Sequence, residues 1–338
     1  MDNQVENPWI FLTGASGYIG SHLSAELKSR TSYNLMQIDQ RAKLLPHTTR
    51  FCDIFADEDF ASPLVLSSIM QYRPETVIHL AASSTIGPGQ SDPLKYWKNN
   101  VSRTIKLIHA CVDAGVKNFI FASTSSVYGN NGTAESSEIE PITAYARTKY
   151  AIEMALADCW HSHRLNSLSF RFFNAAGAHH FHDLGELYGS SHLVAKIMEA
   201  IIHQNTLTVY GRDYHTTDGT AIRDYTHVLD IVDAIILGIE WLKSGKGYHK
   251  INLGSGTGYS VQEVIDQTEH LFNLAVPYRY GDRRDGDSER RTANISLAKE
   301  MLNWTPTRNL DDILRDSYKW YSSNTYKDLY AKKIWYDN

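Results

Sequence analysis

Trp9-Ile10-Phe11-Leu12-Thr13-Gly14-Ala15-Ser16-Gly17-Tyr18-Ile19-Gly20 is the stretch that decides the fold. Its first four residues are an unbroken apolar run, as in a short buried strand. Residues 21–28 then carry a helical pattern. A glycine-rich turn between strand and helix brings backbone N–H groups and a helix N-terminus against a pyrophosphate. Gly14 permits the tight turn, Gly17 lets the phosphates approach, and Gly20 lets helix and strand pack closely. Tyr18 and Ile19 lie inside the same turn. The glycine string is weak evidence alone, but a strand precedes it and a helix follows it. Leu35-Met36-Gln37-Ile38 is the next strand and ends in Asp39. A carboxylate about 20 residues past the glycines accepts the ribose hydroxyls of NAD and repels the 2′-phosphate of NADP. Arg41, just beyond, is the one residue there that suits NADP.

Strands and helices continue to alternate. Phe51-Cys52-Asp53-Ile54 is a short strand or its edge, residues 60–72 a helix, and residues 76–80 a strand running into Leu80-Ala81-Ala82. Small residues there admit a ligand close to the backbone. A polar loop (83–93), a helix (94–114), a strand at 119–122, a helix over 144–164 and a strand over 168–173 follow. The pattern predicts an α/β chain: a Rossmann-type doubly wound parallel sheet covered on both faces, with ligands at the C-terminal strand ends. Thr13, Asp39, Ala81, Thr124 and Phe173 sit at such ends. After Asn174 the texture changes to a loop-like stretch over 175–191, then helices at 192–204, 228–242, 261–272, 297–303 and 310–321, and strands at 207–210 and 251–253. This predicts a smaller α/β substrate-binding domain over 176–338 after a cofactor domain over 1–175, with residues 224–257 packing back onto the latter. Residues 213–224 read as a polar loop. Ser260-Val261-Gln262-Glu263 is a capping-box signature.

The chemistry lies in Thr124 and in Tyr145-Ala146-Arg147-Thr148-Lys149. Tyrosine and lysine at i and i+4 share a helix face. A free phenol, with a pKa of about 10, is a poor base at neutral pH. A neighbouring ammonium stabilises the phenolate and lowers that value. The Thr124 hydroxyl, after an apolar strand, can hold the oxygen from which Tyr145 takes a proton. Tyr-x-x-x-Lys is common in amphipathic helices; the dinucleotide turn is what gives it meaning as a hydride-transfer site.

Composition narrows the rest. The 338 residues allow a large core and two domains. A net charge of −5 gives no reason to expect nucleic acid or an anionic membrane. The three cysteines (Cys52, Cys111, Cys159) are widely spaced, as free thiols of a reducing compartment are. The polar, acidic residues 1–8 are no signal peptide, and no apolar run approaches a membrane span. A cytoplasmic enzyme is the expectation. His179, His180 and His182 lack a cysteine or paired carboxylate at ligand spacing, so no metal is expected.

The Thr124/Tyr145/Lys149 set with the glycine turn resembles the short-chain dehydrogenase/reductase superfamily, and the long second half resembles its extended branch. Within that branch the chain resembles the UDP-glucose 4-epimerase family nearly end to end. The motifs are Arg171-Phe172-Phe173-Asn174-Ala175-Ala176-Gly177-Ala178, Tyr210-Gly211-Arg212-Asp213-Tyr214, Asp218 to His227 (DGTAIRDYTH), Asn252-Leu253-Gly254-Ser255-Gly256, Arg283-Arg284-Asp285-Gly286-Asp287 and Asn303-Trp304-Thr305-Pro306. The resemblance implies that Asn174, Arg223, Arg284 and Asp287 contact a UDP-sugar. It implies that Thr208, Val209 and Tyr210 line the uracil, and that His192 and Leu193 touch the substrate. Asp53, Ile54, Leu80 to Ala82, Asn99 and Phe173 join Tyr145 and Lys149 at NAD. Guanidinium groups suit a diphosphate because they bind it bidentately and stay charged. Each residue alone has an ordinary reading, such as a surface ion pair for an arginine beside aspartates; their shared order favours the site. The family also implies a homodimer through the helices at 94–114 and 145–164. It implies 4-epimerisation of a UDP-hexose through a 4-keto sugar and tightly bound NAD.

Three positions depart from the family pattern, the first being Thr124, which stands where many members carry serine and keeps the hydroxyl. Ser84 stands where some members carry lysine, and Arg291 stands near the sugar, where N-acetylhexoses are admitted or refused. The alternatives are epimerases of UDP-N-acetylhexosamine, UDP-glucuronate or UDP-pentose, a dehydratase or decarboxylase, and a non-catalytic NAD-binding regulator. A dehydratase needs an acid–base pair where this chain has Ser125 and Ser126. A silent regulator is expected to have lost part of Thr124/Tyr145/Lys149.

Overall fold

The computed structural model describes residues 7–41, 43–84, 92–130, 132–179, 181–284 and 286–335. His180, Asp285 and parts of the N-terminal and 83–93 segments read above lie outside them. In chain order the strands are β1 (Trp9–Thr13), β2 (Asn34–Ile38), β3 (Ile54–Ala56), β4 (Thr76–His79), β5 (Asn118–Thr124), β6 (Asn166–Phe172) and β7 (Asn174–Ala176). They continue with β8 (Leu207–Tyr210), β9 (Ile222–His227), β10 (Tyr248–Leu253), β11 (Gly258–Ser260), β12 (Tyr278–Gly281) and β13 (Arg290–Arg291). The chain divides into two compact units. The first is Met1–Val127, Thr143–Arg171 and Ala234–Ile251; the second is Tyr128–Ile142, Phe172–Asp233 and Asn252–Asn338.

The first unit carries the seven-stranded sheet, in the order β10-β6-β5-β4-β1-β2-β3. β1 pairs in parallel with both β2 and β4, so strand order reverses there and a crevice opens at their C-terminal ends. The central strands are sequestered from water. Ile10, Phe11 and Leu12 have no exposed surface, and every residue of β5 is buried. One sheet face is packed by Val65 and Ile69 from the helix Pro63–Tyr72 and by Leu107, Ile108 and Cys111 from the helix Arg103–Ala114. Between Pro93–Tyr96 and Arg103–Ala114 the helix winds as a π-helix, Trp97–Ser102.

The helix Ala144–His163, expected from the Tyr145 segment, lies along this sheet. It is fixed by an ion pair with almost no exposure: Arg171 on β6 donates from Nε and Nη2 to Oε1 and Oε2 of Glu153. Ser123 on β5 donates to the same carboxylate. The carboxylate thus ties the helix to two strands.

The second unit holds a four-stranded arrangement of β7, β9, β11 and β13 and a two-stranded β8–β12 ribbon. Here the sequence reading needs correction. Residues 222–224, read as the end of a polar loop, belong to β9, which pairs with three neighbours. Aspartate and arginine lower the strand signal of IRDYTH, yet tertiary pairing overrides it. Asn324–Ala331 adds a helix capped by Ser323 that the apolar pattern did not reveal. The Ser260/Glu263 capping box is formed.

The buried pair sets a stability test. Arg171→Met leaves Glu153 charged and buried without its partner, and should lower the unfolding free energy by about 3–5 kcal/mol. Glu153→Leu combined with Arg171→Met should recover much of that loss. Urea titrations of the three proteins measure both.

Candidate active site

In the first unit the glycine turn behaves as its spacing implies. Gly14 lies at φ +72, and a Cβ there would stand 2.7 Å from the Ala81 nitrogen. At Gly20 a Cβ would fall 2.1 Å from the Gly14 carbonyl oxygen. Both positions therefore demand glycine. Gly17 differs: its Cβ direction meets only the Gly14 carbonyl oxygen, at 3.1 Å. Gly17 is the N-cap of the helix Tyr18–Arg30, and its side-chain space opens where a pyrophosphate would meet that helix. Asp39 follows β2. Its carboxylate accepts from the backbone N–H of Ser16 (3.0 Å) and of Arg41 (2.8 Å). Burial raises its pKa, and those two N–H groups work against the rise. The cradle and the carboxylate fit a dinucleotide with free ribose hydroxyls.

Leu80 and Ala81 are half-buried and Ala82 is exposed, on the backbone that Gly14 approaches. Asn99, in the π-helical stretch, donates to Ser83 Oγ and accepts from Arg103. Its neighbour Asn100, which no motif in the sequence marks, is buried. Asn100 bonds both backbone groups of Ser83 and donates to Thr148 Oγ1, linking the 80–84 segment to the tyrosine helix. A π-helical stretch at such a place is a common functional marker, but nothing in the sequence announces it.

Asp53 and Ile54 require correction. Asp53 precedes β3, at the sheet edge opposite the crevice. Its carboxylate pairs with Lys28 at 2.8 Å and accepts from the Leu35 N–H at 2.7 Å. Ile54 opens the same strand. The residue at the crevice end of β3 is Asp57, just past Ala56, whose carbonyl accepts from the Asp39 N–H. One oxygen of Asp57 pairs with Lys43 at 2.8 Å. The other is buried without a hydrogen-bond partner among the described residues. The strand is three residues long, so a shift of this size exchanges its two ends.

Thr124 is the last residue of β5, 7% exposed, and its Oγ1 accepts from the Ser126 N–H at 3.2 Å. Tyr145 stands in the first turn of its helix and Lys149 one turn on. The Lys149 ammonium lies 5.8 Å from the Tyr145 ring centroid and 4.7 Å from that of Phe121. It donates to the Ala122 carbonyl at 2.7 Å. Burial lowers the Lys149 pKa to about 7. A desolvated ammonium beside a phenol favours loss of the phenolic proton, because the resulting anion pays back the ammonium's lost solvation. Beneath it, His79 is pushed down to about 3 by burial and by Lys149, so it is neutral, hydrogen-bonded to Thr13 and Thr104.

The second unit contains the residues expected at the UDP-sugar apart from Thr124, and also Phe173, expected at NAD, which lies buried just after β6. Arg223 on β9 pairs with Asp287 at 2.6 Å. The Arg284 guanidinium lies over the Tyr210 ring, 3.9 Å from its centroid. Asn174 on β7 donates to the Asp224 carbonyl at 2.8 Å. His192 caps the helix Leu193–His203, with its Nδ1 at 2.5 Å from Oε1 of buried Glu186, and that charge raises its pKa. Leu193 is half-buried. Along β8, Thr208 and Tyr210 face away from the core while Val209 is 1% exposed. Strand alternation therefore leaves Val209 only its backbone to offer a ligand.

Fold and site together define a hydride-transferring dinucleotide enzyme of the short-chain dehydrogenase/reductase kind. The model of the NAD dependent epimerase/dehydratase family matches residues 10–254. The chain is 34% identical to a UDP-glucose 4-epimerase of Rhizobium leguminosarum bv. trifolii over 322 residues, 93% of this chain and 98% of that one. It is 33% identical to the human UDP-glucose 4-epimerase over 337 residues, with 93% and 97% covered. The crystal structure of a UDP-glucose 4-epimerase from Stenotrophomonas maltophila, with bound NAD and formylated UDP-arabinopyranose, superposes with a TM-score of 0.88. Identity there is 34%, covering 93% of this chain and 98% of the other. The chain belongs to the NAD-dependent epimerase/dehydratase family, and within it to the UDP-glucose 4-epimerases.

The strand-end correction can be tested through the cofactor. Asp57→Asn should lower the NAD retained by the purified protein, whereas Asp53→Asn should leave it unchanged and cost only modest stability. Released NAD, measured after denaturation, separates the two positions.

Proposed function

We propose that the protein interconverts UDP-glucose and UDP-galactose through a transient 4-keto sugar. The observation that carries this reading is the Tyr145–Lys149 pair on one helix face, with Lys149 desolvated, in a chain that matches UDP-glucose 4-epimerases over nearly its whole length. The first unit is read as the NAD unit and the second as the UDP-sugar unit. Gly14, Gly17, Tyr18, Ile19, Gly20, Asp39, Asp57 and the 80–82 backbone would hold the cofactor. NAD, when bound, accepts the hydride of the sugar C4 and gives it back.

The chain's own groups handle the proton and the position. Tyr145, as phenolate, removes the C4 hydroxyl proton and later returns it. Thr124 holds that oxygen. Lys149 stabilises the phenolate and offers a donor to the cofactor ribose. Arg223, Arg284 and Asn174 hold the diphosphate, Asp287 accepts from the uridine ribose, and Thr208, Tyr210 and the Val209 backbone line the uracil. His192 and Leu193 complete the substrate contacts. Strong nucleotide contacts with weak hexose contacts let the keto sugar turn over and present its opposite face. Ser125 and Ser126 supply no acid–base pair for water elimination, which disfavours a dehydratase.

Two further readings go with this. Two copies pair through the helices Arg103–Ala114 and Ala144–His163. Leu94 (76% exposed), Ile105 and Met154 are large apolar side chains left bare on or beside them. The compartment is the cytoplasm, supported by three free cysteines. Among the described residues no helix is long and apolar enough to cross a membrane.

Purified protein given UDP-galactose without added NAD should form UDP-glucose; UDP-N-acetylgalactosamine in a parallel arm reports the sugar preference. Tyr145→Phe should cut turnover by about 10²–10⁴-fold while UDP binding persists. Unchanged turnover removes Tyr145 as the base. Lys149→Met removes the cation that favours phenolate, so the acid limb of the pH–rate profile should move to higher pH. An unmoved limb refutes the coupling.

A further inference from the structure

We infer that Arg291 is a third guanidinium of the UDP-sugar site and holds an anionic oxygen of the bound substrate; this rests on reading the second unit as the UDP-sugar unit. β13 runs parallel to β9 with Arg291 directly opposite Arg223. Neighbouring strands lie about 4.7–4.9 Å apart, and residues in register project from the same face. Like charges placed opposite one another destabilise a strand pair. A chain gains from such a pair only if an anion relieves it.

The protein itself relieves one of the two. Asp287 takes Arg223 at 2.6 Å. Arg291 donates from Nη2 to the carbonyl oxygen of Gly129 at 2.8 Å, and among the described residues no carboxylate forms an ion pair with it. Burial and the charge of Arg223 both oppose its protonated form, and Asp287 supports it. Two guanidiniums therefore share one carboxylate. The Gly129 carbonyl is a fixed anchor: Gly129 lies at φ +57, and a Cβ there would stand 2.4 Å from the Glu140 carbonyl oxygen. The anchor occupies one arm of the fork and leaves the other donors of the guanidinium.

Two further polar atoms around this cluster are uncommitted. The Tyr214 hydroxyl is near enough to Asp287 and Arg223 to feel both charges. It is buried without a partner among the described residues, and so is Ser288 Oγ, next in sequence to Asp287. Buried hydroxyls left without partners are uncommon in proteins. The pair of guanidiniums is what suits anionic oxygens here; the two hydroxyls lie within the fold without partners. A UDP-sugar offers such oxygens from two sources: the diphosphate, or the C6 carboxylate of a hexuronate.

The test uses the full-length protein, Arg291→Gln and Arg291→Lys. Glutamine keeps a donor for Gly129 without the charge; lysine keeps the charge without the fork. Calorimetry measures binding of UDP, UDP-glucose and UDP-glucuronate, and melting temperatures report the fold. The inference expects Arg291→Gln to weaken binding about 10-fold or more and Arg291→Lys to recover part of it. An equal loss for all three ligands identifies the diphosphate; a loss confined to UDP-glucuronate identifies the carboxylate. Unchanged affinities for all three, with only the melting temperature lowered, make Arg291 a strut for Gly129 and overturn the inference. Failure of the wild type to bind UDP overturns the reading of the second unit itself, and the inference falls with it.

Discussion

The buried bidentate pair between Glu153 and Arg171 is the constraint on which the placement of Thr124, Tyr145 and Lys149 depends. Glu153 lies one turn beyond Lys149 on the same helix. Arg171 stands on β6, and Ser123, on β5, precedes Thr124 by one residue. One carboxylate thus fixes the helix carrying Tyr145 and Lys149 against the strand carrying Thr124. A hydrophobic contact would hold the helix down but would let it slide along its axis. The fork of a guanidinium on a carboxylate fixes both direction and register. Such a pair is weak evidence for net stability, since desolvation offsets much of the attraction. Its contribution here is position.

Lys149 extends the same logic. An ammonium with one carbonyl and two aromatic faces around it is poorly solvated, which is why its pKa falls to about 7. The cost of holding that charge is lowered when the adjacent phenol ionises. On the proposed mechanism, burial of Lys149 is what would let Tyr145 act as a base near neutral pH. This does not require a phenol of unusual intrinsic acidity.

Much of this was legible in the sequence because it is local. The glycine turn, Asp39, the alternation of strands and helices and the i, i+4 pair each follow from periodicity or from one backbone requirement. What was not legible depended on register and partners. Asp53 and Asp57 both flank the same short strand, and only the pairing of Met36 with Ile54 shows which faces the crevice. Val209 belongs to the same tetrapeptide as Thr208 and Tyr210, yet alternation sends it into the core. β9 is polar in sequence because Asp224 is buried by design of its surroundings. Asp224 accepts from the Ser255, Gly256 and Ala293 N–H groups and from Ser255 Oγ. No window of sequence contains those donors. The pattern inside IRDYTH is that of a loop, and the strand exists because distant segments satisfy its carboxylate.

Asp224 also explains why the arginines of the second unit can be placed so closely. Burial raises its pKa and four hydrogen bonds pull it back, so it serves as a knot joining β9, the Gly254–Gly256 turn and the segment after β13. Arg223 precedes it on one strand, and Arg291 lies two residues before Ala293 on another. Their separation is therefore set by backbone bonds to a common carboxylate, and mutual repulsion cannot splay them. A site that must hold a nucleotide diphosphate while the attached hexose turns over needs cations of this sort. Flexible arginines would lose entropy on binding and follow the ligand as it moved. On the reading proposed above, an arginine fixed beforehand, as Arg223 is by Asp287, would keep the diphosphate in place and leave the sugar as the part free to rotate.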